Sequence, residues 1–302
     1  MRTIDVPILD VSAIEAAFGR HAAALGADDL GLAVRTLDRV RPPNWTLEWY
    51  LPWWLGQAFG LPSETSHRIV TSNVLGLVAV RLEDDANDGE MGVGELEAAR
   101  RVSARLFAAA TDLYRPLFGP GSPFWAELDA TLSTWRSSAA RSLATRGAPL
   151  NVGARAICLL ADRAASVPVV EACLDHALTA LALYDDLCDW ETDLAAGRWN
   201  AFVASLTDAP QTAANRSRNR AAVLLALMTG TAASDAFGRV AAEADRAAAL
   251  ARSLGSAELA QHLATVAIRA VAQGSDVASH YAGAADRATT LIFGAALSGG
   301  TG

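Results

Sequence analysis

Hydrophobic residues recur along this chain at the three- and four-residue intervals of a helix face, segment after segment, and no stretch alternates apolar and polar residues as a half-buried strand would. After an extended start around Pro7 and Leu9, the spacing of Ile14, Ala17, Phe18 and Leu25 predicts a helix over 12–25, with His21 the polar residue on its apolar face. The same period predicts helices over 28–39, 46–59, 63–88, 94–117, 123–145, 152–165, 167–195, 219–229, 234–254, 257–273 and 276–297. Ser63, Ser122-Pro123 and Ser256 read as starts, and Gly60, Gly119, Gly147, Gly255 and Gly274 as stops. Turn residues mark loops at 41–44, 118–123, 147–153 and 196–217, none with the character of an interdomain linker. The expectation is an all-α fold and a single domain over 1–302, with no fixed-period repeat, low-complexity tract or long heptad pattern.

Composition narrows the function. With 52% hydrophobic and 19% charged residues the chain can bury a sizeable core. A net charge of −8 speaks against nucleic acid and anionic lipid as partners. Every basic residue among the 25 is arginine, so a phosphate group must be held by arginine forks, metal or backbone N–H groups, and Schiff-base lysine chemistry is excluded. Cys158, Cys173 and Cys188, an odd set without C-x-x-C spacing, read as buried thiols of a reducing compartment. The acid at Asp5 breaks any apolar leader, and no apolar run reaches the ~20 residues that span a bilayer. A cytoplasmic protein that does not engage membranes is expected.

Two acidic groups then stand out. Tyr184-Asp185-Asp186-Leu187-Cys188-Asp189-Trp190-Glu191-Thr192-Asp193 carries five carboxylates in nine residues, directly after an apolar run. Asp84-Asp85-Ala86-Asn87-Asp88 repeats the D-D-x-x-D spacing at the end of another apolar helix. Four residues advance a helix by about 6 Å and slightly more than a turn, so Asp185, Asp189 and Asp193 rise along one face. Like charges at that interval destabilise a helix by a few tenths of a kcal/mol per pair, and a divalent cation would offset the cost. Mg²⁺ takes oxygen ligands and is commonly shared with substrate phosphates, so two such groups suit a diphosphate whose departure leaves a carbocation. A cation that reactive must be kept from water, which a bundle of apolar helices can do.

The run from Asp185 to Gly197-Arg198 resembles the second aspartate-rich motif of the trans-isoprenyl diphosphate synthases, D-D-x-x-D-x-x-x-D followed by Gly-Lys, with arginine for the lysine. Asp84 to Asp88 resembles their first motif, and Thr145-Arg146-Gly147 their Lys-Thr-Gly helix break, again with arginine for lysine. The resemblance covers about residues 65–200. It implies the class I terpenoid synthase fold, an α-helical bundle with two aspartate-rich helices facing across a central cavity. It further implies Mg²⁺ as cofactor, with Asp84 and Asp88 holding two of the ions, Asp185 a third, and Asp85, Asp186 and Asp189 as further ligands. Arg146, Arg198, Arg141 and Arg287 become the diphosphate-binding candidates, and Val80, Gly76 and Leu77, one or two turns before Asp84, the cavity lining that sets chain length.

Chain-elongating members follow the first motif with Arg-Arg-Gly, whereas here Gly89-Glu90-Met91-Gly92-Val93-Gly94 follow and Arg100-Arg101 come later. That departure favours a terpene synthase that ionises one prenyl diphosphate, farnesyl or geranylgeranyl, and cyclises it; a homodimer is compatible with this. The second motif is not the N-D-x-x-S-x-x-x-E type usual in bacterial cyclases, so the chain resembles an atypical branch. A prenyltransferase joining an allylic diphosphate to isopentenyl diphosphate is the first alternative. A non-catalytic α-helical binding protein is the second. Trp45, Trp49 and Trp53 share a helix face as core or as cation-stabilising lining, His280-Tyr281 is a candidate closing contact, and residues 196–217, carrying Arg198, are the expected moving lid.

Overall fold

The computed structural model describes residues 8–87, 91–137 and 147–298, with side chains up to residue 284. Among the described residues there are twelve α-helices and no strand, so the chain is all-α. They are α1 Val11–Ala22, α2 Ala27–Arg39, α3 Thr46–Ala58, α4 Ser63–Asn87, α5 Val93–Tyr114, α6 Pro123–Ser137, α7 Leu150–Leu160, α8 Val167–Ala196, α9 Ala201–Leu206, α10 Arg216–Thr229, α11 Ala232–Ser253 and α12 Ala257–Ser298. Contacts divide the chain into two compact units, Met1–Ala172 with Leu250–Ala260, and Cys173–Ala249 with Gln261–Gly302.

In the first unit α4 is the central element and packs on α1, α2, α3, α5 and α7. A helix that touches neighbours on most sides must be apolar most of the way round, as the run from Ile69 to Leu82 is. Two buried hydroxyls pin α5 to α4: that of Ser72 donates to the Ala110 carbonyl at 2.8 Å, and that of Ser103 on α5 to the Ala79 carbonyl at 3.0 Å. The tryptophans of α3 belong to this core. Trp49 and Trp53 are buried, the Trp49 indole N–H donates to the Val40 carbonyl at 2.6 Å, and the Trp53 ring lies 4.7 Å from that of His67.

Helix α3 contains Pro52 in its interior. Proline brings no N–H, so the carbonyl four residues earlier, that of Glu48, loses its helical donor. The Asn73 side-chain amide on α4 donates to that carbonyl instead. A sequence defect in one helix is thus repaired by a polar residue in the next.

The second unit is organised on the C-terminal part of α8. Trp190 and Leu194 of α8, Phe202 and Val203 of α9, Val223 and Leu227 of α10 and Ala233 of α11 form its buried cluster. Tyr184 donates its hydroxyl to Gln273 on α12 at 2.7 Å and meets Phe237 edge-on at 6.1 Å. Taken with the short 3-10 turn before it, α8 is long and apolar enough to cross a membrane by length and composition, with a mean hydropathy of 1.3, although the sequence shows no apolar run of that length.

Two boundaries differ from expectation. Gly274 does not stop a helix, because α12 runs unbroken for 42 residues. A Cβ at 274 would stand 2.7 Å from the Cβ of Phe237, so the glycine serves close approach of α11 and α12. Residues 196–217 are not a free loop: they contain α9, a 3-10 turn at Ala213–Asn215 and the start of α10. Helix α6 is described as far as Ser137, and the rest of the helix expected over 123–145 lies outside the described residues.

Replacing Asn73 by Ala should cost about 1–3 kcal/mol, the penalty of a buried carbonyl left without a donor. Adding Pro52→Ala to that variant restores the Glu48 partner within α3 and should recover most of the loss, as chemical denaturation can read.

Candidate active site on two acidic helices

The first acidic group closes α4. Gly76, Val80 and Asp84 lie four residues apart on one stripe and are partly exposed, with Leu77 buried beside them. A Cβ built on Gly76 meets no heavy atom within 4 Å, so the helix borders open space there. The next acid, Asp85, is turned about 100° round the helix from Asp84 and continues the buried line of Val78 and Leu82. It is 2% exposed and is held by two arginines, with Oδ2 2.7 Å from Arg39 of α2 and Oδ1 2.7 Å from Arg81 one turn earlier. Beside this clamp is a cavity of about 240 Å³ lined by Arg35, Arg39, Asp85 and Glu95, with Leu32 and Met91 as its apolar wall. Asp88 lies outside the described residues, as do Arg141 and Arg146. Away from both acidic groups, burial pushes the half-buried Glu48 carboxyl of α3 up to about 7, against a backbone hydrogen bond that pulls it down.

The second group lies on α8, whose inward line runs Leu183, Asp186, Trp190, Leu194. Asp186 therefore points into its unit, while Asp185 and Asp189 are exposed on another face. Burial raises the Cys188 thiol, a Tyr184 hydrogen bond lowers it, and the charges of Asp189 and Asp185 both raise it further. Cys188 itself is exposed, whereas Cys158 and Cys173 are buried as expected.

The helix then turns sharply. Gly197 takes φ +73°, the Arg198 N–H donates back to the Asp193 carbonyl at 2.8 Å and the Gly197 N–H to Leu194 at 3.3 Å, a Schellman cap. This turn gives the Gly-Arg pair its physical reason, because it folds Arg198 back onto α8, where its Nε donates to Asp193 Oδ1 at 2.9 Å. Asn200 follows, 0% exposed. Its Nδ2 donates to the Asp186 carbonyl at 2.8 Å and to Asp193 Oδ2 at 2.9 Å, and its Oδ1 accepts from Val203 N–H at 3.1 Å as the N-cap of α9. The Asp186 carboxylate accepts the Ala201 N–H at 2.7 Å, and Gln211 pairs with both backbone groups of Asn200 at 2.9 and 2.8 Å.

The sequence did not single out Asn200, Arg39 or Arg81. Arg81 stands one turn before Asp85 and so was readable as an i,i+4 partner, and Asn after a Gly-Arg turn is a favoured helix cap. Arg39 is 46 residues from Asp85 and left no local signal. Arg287 sits on α12, its side chain outside the described residues. His280 and Tyr281 are on the same helix, with Tyr281 against the cluster of Trp190 and Leu194.

Among the described residues no three His, Cys, Asp or Glu side chains converge to hold a metal ion. Mg²⁺ does not require such a cage, since one or two carboxylates with water and substrate phosphates suffice. Asp185 and Asp189, exposed one turn apart, fit that role. Asp85 does not fit it unless it leaves two arginines, nor Asp186 unless α9 loses its cap.

Asp85→Asn should lower stability by about 1.5–3 kcal/mol, because it takes the charged acceptor from two arginine contacts, while Arg39 and Arg81 keep their access to solvent. Asp185→Asn should change it by about 0.5 kcal/mol or less, as an exposed position would. Urea unfolding of the two variants checks the contrast. Comparison of the chain with models of known protein families and with curated proteins finds no match.

Proposed function

We propose that this chain is a Mg²⁺-dependent class I terpene synthase that ionises a C15 or C20 prenyl diphosphate and cyclises the cation. The observation that carries the reading is the unbroken α8, which presents Asp185 and Asp189 outward one turn apart and ends in a cap that returns Arg198 to the same helix end. The fold on which the reading rests, two aspartate-rich helices across a cavity, is part of the proposal.

In this reading Asp185 and Asp189, with Asp84 and Asp88 on α4, would hold the metal, which when bound supplies Lewis-acid neutralisation of the departing diphosphate. Arg198 adds a fixed positive charge to the diphosphate oxygens. The allylic C–O bond breaks, its electron pair leaves with the diphosphate, and the carbocation closes onto a double bond of its own chain. Loss of a proton or capture of water ends the reaction. The stripe of Gly76 and Val80 before Asp84 offers an apolar surface with room at Gly76 for the hydrocarbon tail.

A prenyltransferase is the second reading, and the cavity beside Asp85 favours it, because Arg35 and Arg39 could receive a second anionic substrate there.

Incubation with farnesyl or geranylgeranyl diphosphate and Mg²⁺ should release diphosphate and a hydrocarbon or terpene alcohol, without isopentenyl diphosphate. EDTA should stop it reversibly, and Asp84→Ala or Asp185→Ala should abolish it with the helical circular dichroism intact. A longer diphosphate formed only with isopentenyl diphosphate would establish the prenyltransferase, and no turnover of any of them the helical binding protein. Gly76→Phe should shift preference towards shorter substrates by filling the open space; an unchanged profile in the folded variant rejects Gly76 as the depth gauge.

A further inference from the structure

In each Asp-Asp pair the second acid is buried and the first is not. Asp85 and Asp186 are both 2% exposed, whereas Asp84 is partly exposed and Asp185 exposed. Successive helix residues point about 100° apart, and in both helices it is the second acid that falls on the inward line. The inward acid of α8 accepts the Ala201 N–H on its carboxylate, and its backbone carbonyl meets Asn200, a residue that uses every polar atom it has. The Asn200 N–H donates to Gln211 and its carbonyl accepts from Gln211, its side-chain amide donates to the Asp186 backbone carbonyl and the Asp193 carboxylate, and its side-chain oxygen accepts from the Val203 N–H. Asp193 is thereby gripped on both oxygens, by Asn200 on Oδ2 and by Arg198 on Oδ1.

We propose that Asn200 is a positioning residue for diphosphate binding, which acts through Asp193 to fix Arg198 at the end of α8, with Asp186 as the anchor of the same latch and neither Asp186 nor Asp193 a metal ligand. The role rests on the diphosphate reading above. A guanidinium tethered only through a mobile carboxylate would sample many directions, and ordering it would be charged against binding. With Asp193 clamped by a buried, fully bonded Asn200, that ordering is completed when the chain folds. Asp186 contributes by capping α9, whose Phe202 and Val203 pack on Trp190 and Leu194 and keep Asn200 in place.

The test is calorimetric titration of the full chain with inorganic diphosphate in the presence of Mg²⁺, for the wild type, Asn200→Ala, Arg198→Ala and the double variant. Asn200→Ala should weaken binding about tenfold, the scale of one charge-assisted hydrogen bond. In the Arg198→Ala background the same change should have no further effect, since Asn200 acts through Arg198. A merely structural loss would weaken both backgrounds alike and overturns the proposal, as does Asn200→Ala binding within about twofold of wild type. Should Asn200→Ala fail to fold, Asp193→Asn takes its place with the same expected pattern. Amide exchange of α9 reads the anchor separately: it should quicken in Asp186→Asn and not in Asp185→Asn, and the reverse order overturns Asp186 as anchor. If the wild type binds no diphosphate, the reading and this role fall together, whereas wild-type binding with additive losses overturns the role alone.

Discussion

A carboxylate taken out of water must find a cation or hydrogen-bond donors, or the protein loses several kcal/mol. Both acidic helices confront this, because a pair of adjacent aspartates on a packed helix sends one of them inward. In the first unit the answer is ionic: Arg39 arrives from α2 and Arg81 from the preceding turn of α4. In the second it is peptidic: the N-terminus of a six-residue helix supplies the Ala201 N–H, which its own first turn cannot satisfy. The position of α2 against the end of α4, and of α9 against the end of α8, follows from these two solutions.

The same constraint orders the rest of each unit. Pro52 deprives α3 of a donor and Asn73 returns it, so α3 and α4 are matched by a hydrogen bond as well as by apolar area. Arg155 joins Glu127 and Glu171 at 2.6 and 2.5 Å, tying α6, α7 and the start of α8 through one half-buried guanidinium. Polar groups at helix contacts thus set register where aliphatic packing alone would tolerate sliding.

Most helices were legible because their apolar period persists over ten residues or more, and Val167–Ala196 was foreseen to within a residue. What could not be read depended on distance or ambiguity. Gly274 has the same letter whether it ends a helix or admits Phe237, and only the neighbouring helix decides. Helix α9 is too short to show a period, and besides its Asn200 cap its Ala201 N–H is held by Asp186, fifteen residues earlier. The acidic groups themselves were plain, yet the split between outward Asp185 and inward Asp186 needed the helix phase together with the location of the core. Arg39 was invisible for the reason that makes it effective, since it reaches Asp85 from another part of the chain.

The all-arginine basic set bears on alkaline tolerance. A guanidinium keeps its proton well beyond pH 12, whereas a lysine in the same clamp would lose charge near pH 10. Arg155, which burial lowers but its partners Glu171 and Glu127 raise further, therefore stays cationic on that side of neutrality. Burial holds the Tyr114 hydroxyl up to about 12 and, with Glu171 nearby, the Cys158 thiol to about 11, so these interior groups also remain neutral well into the alkaline range. Above the range in which Glu48 ionises, near 7, these groups of the first unit keep the charges they received at folding.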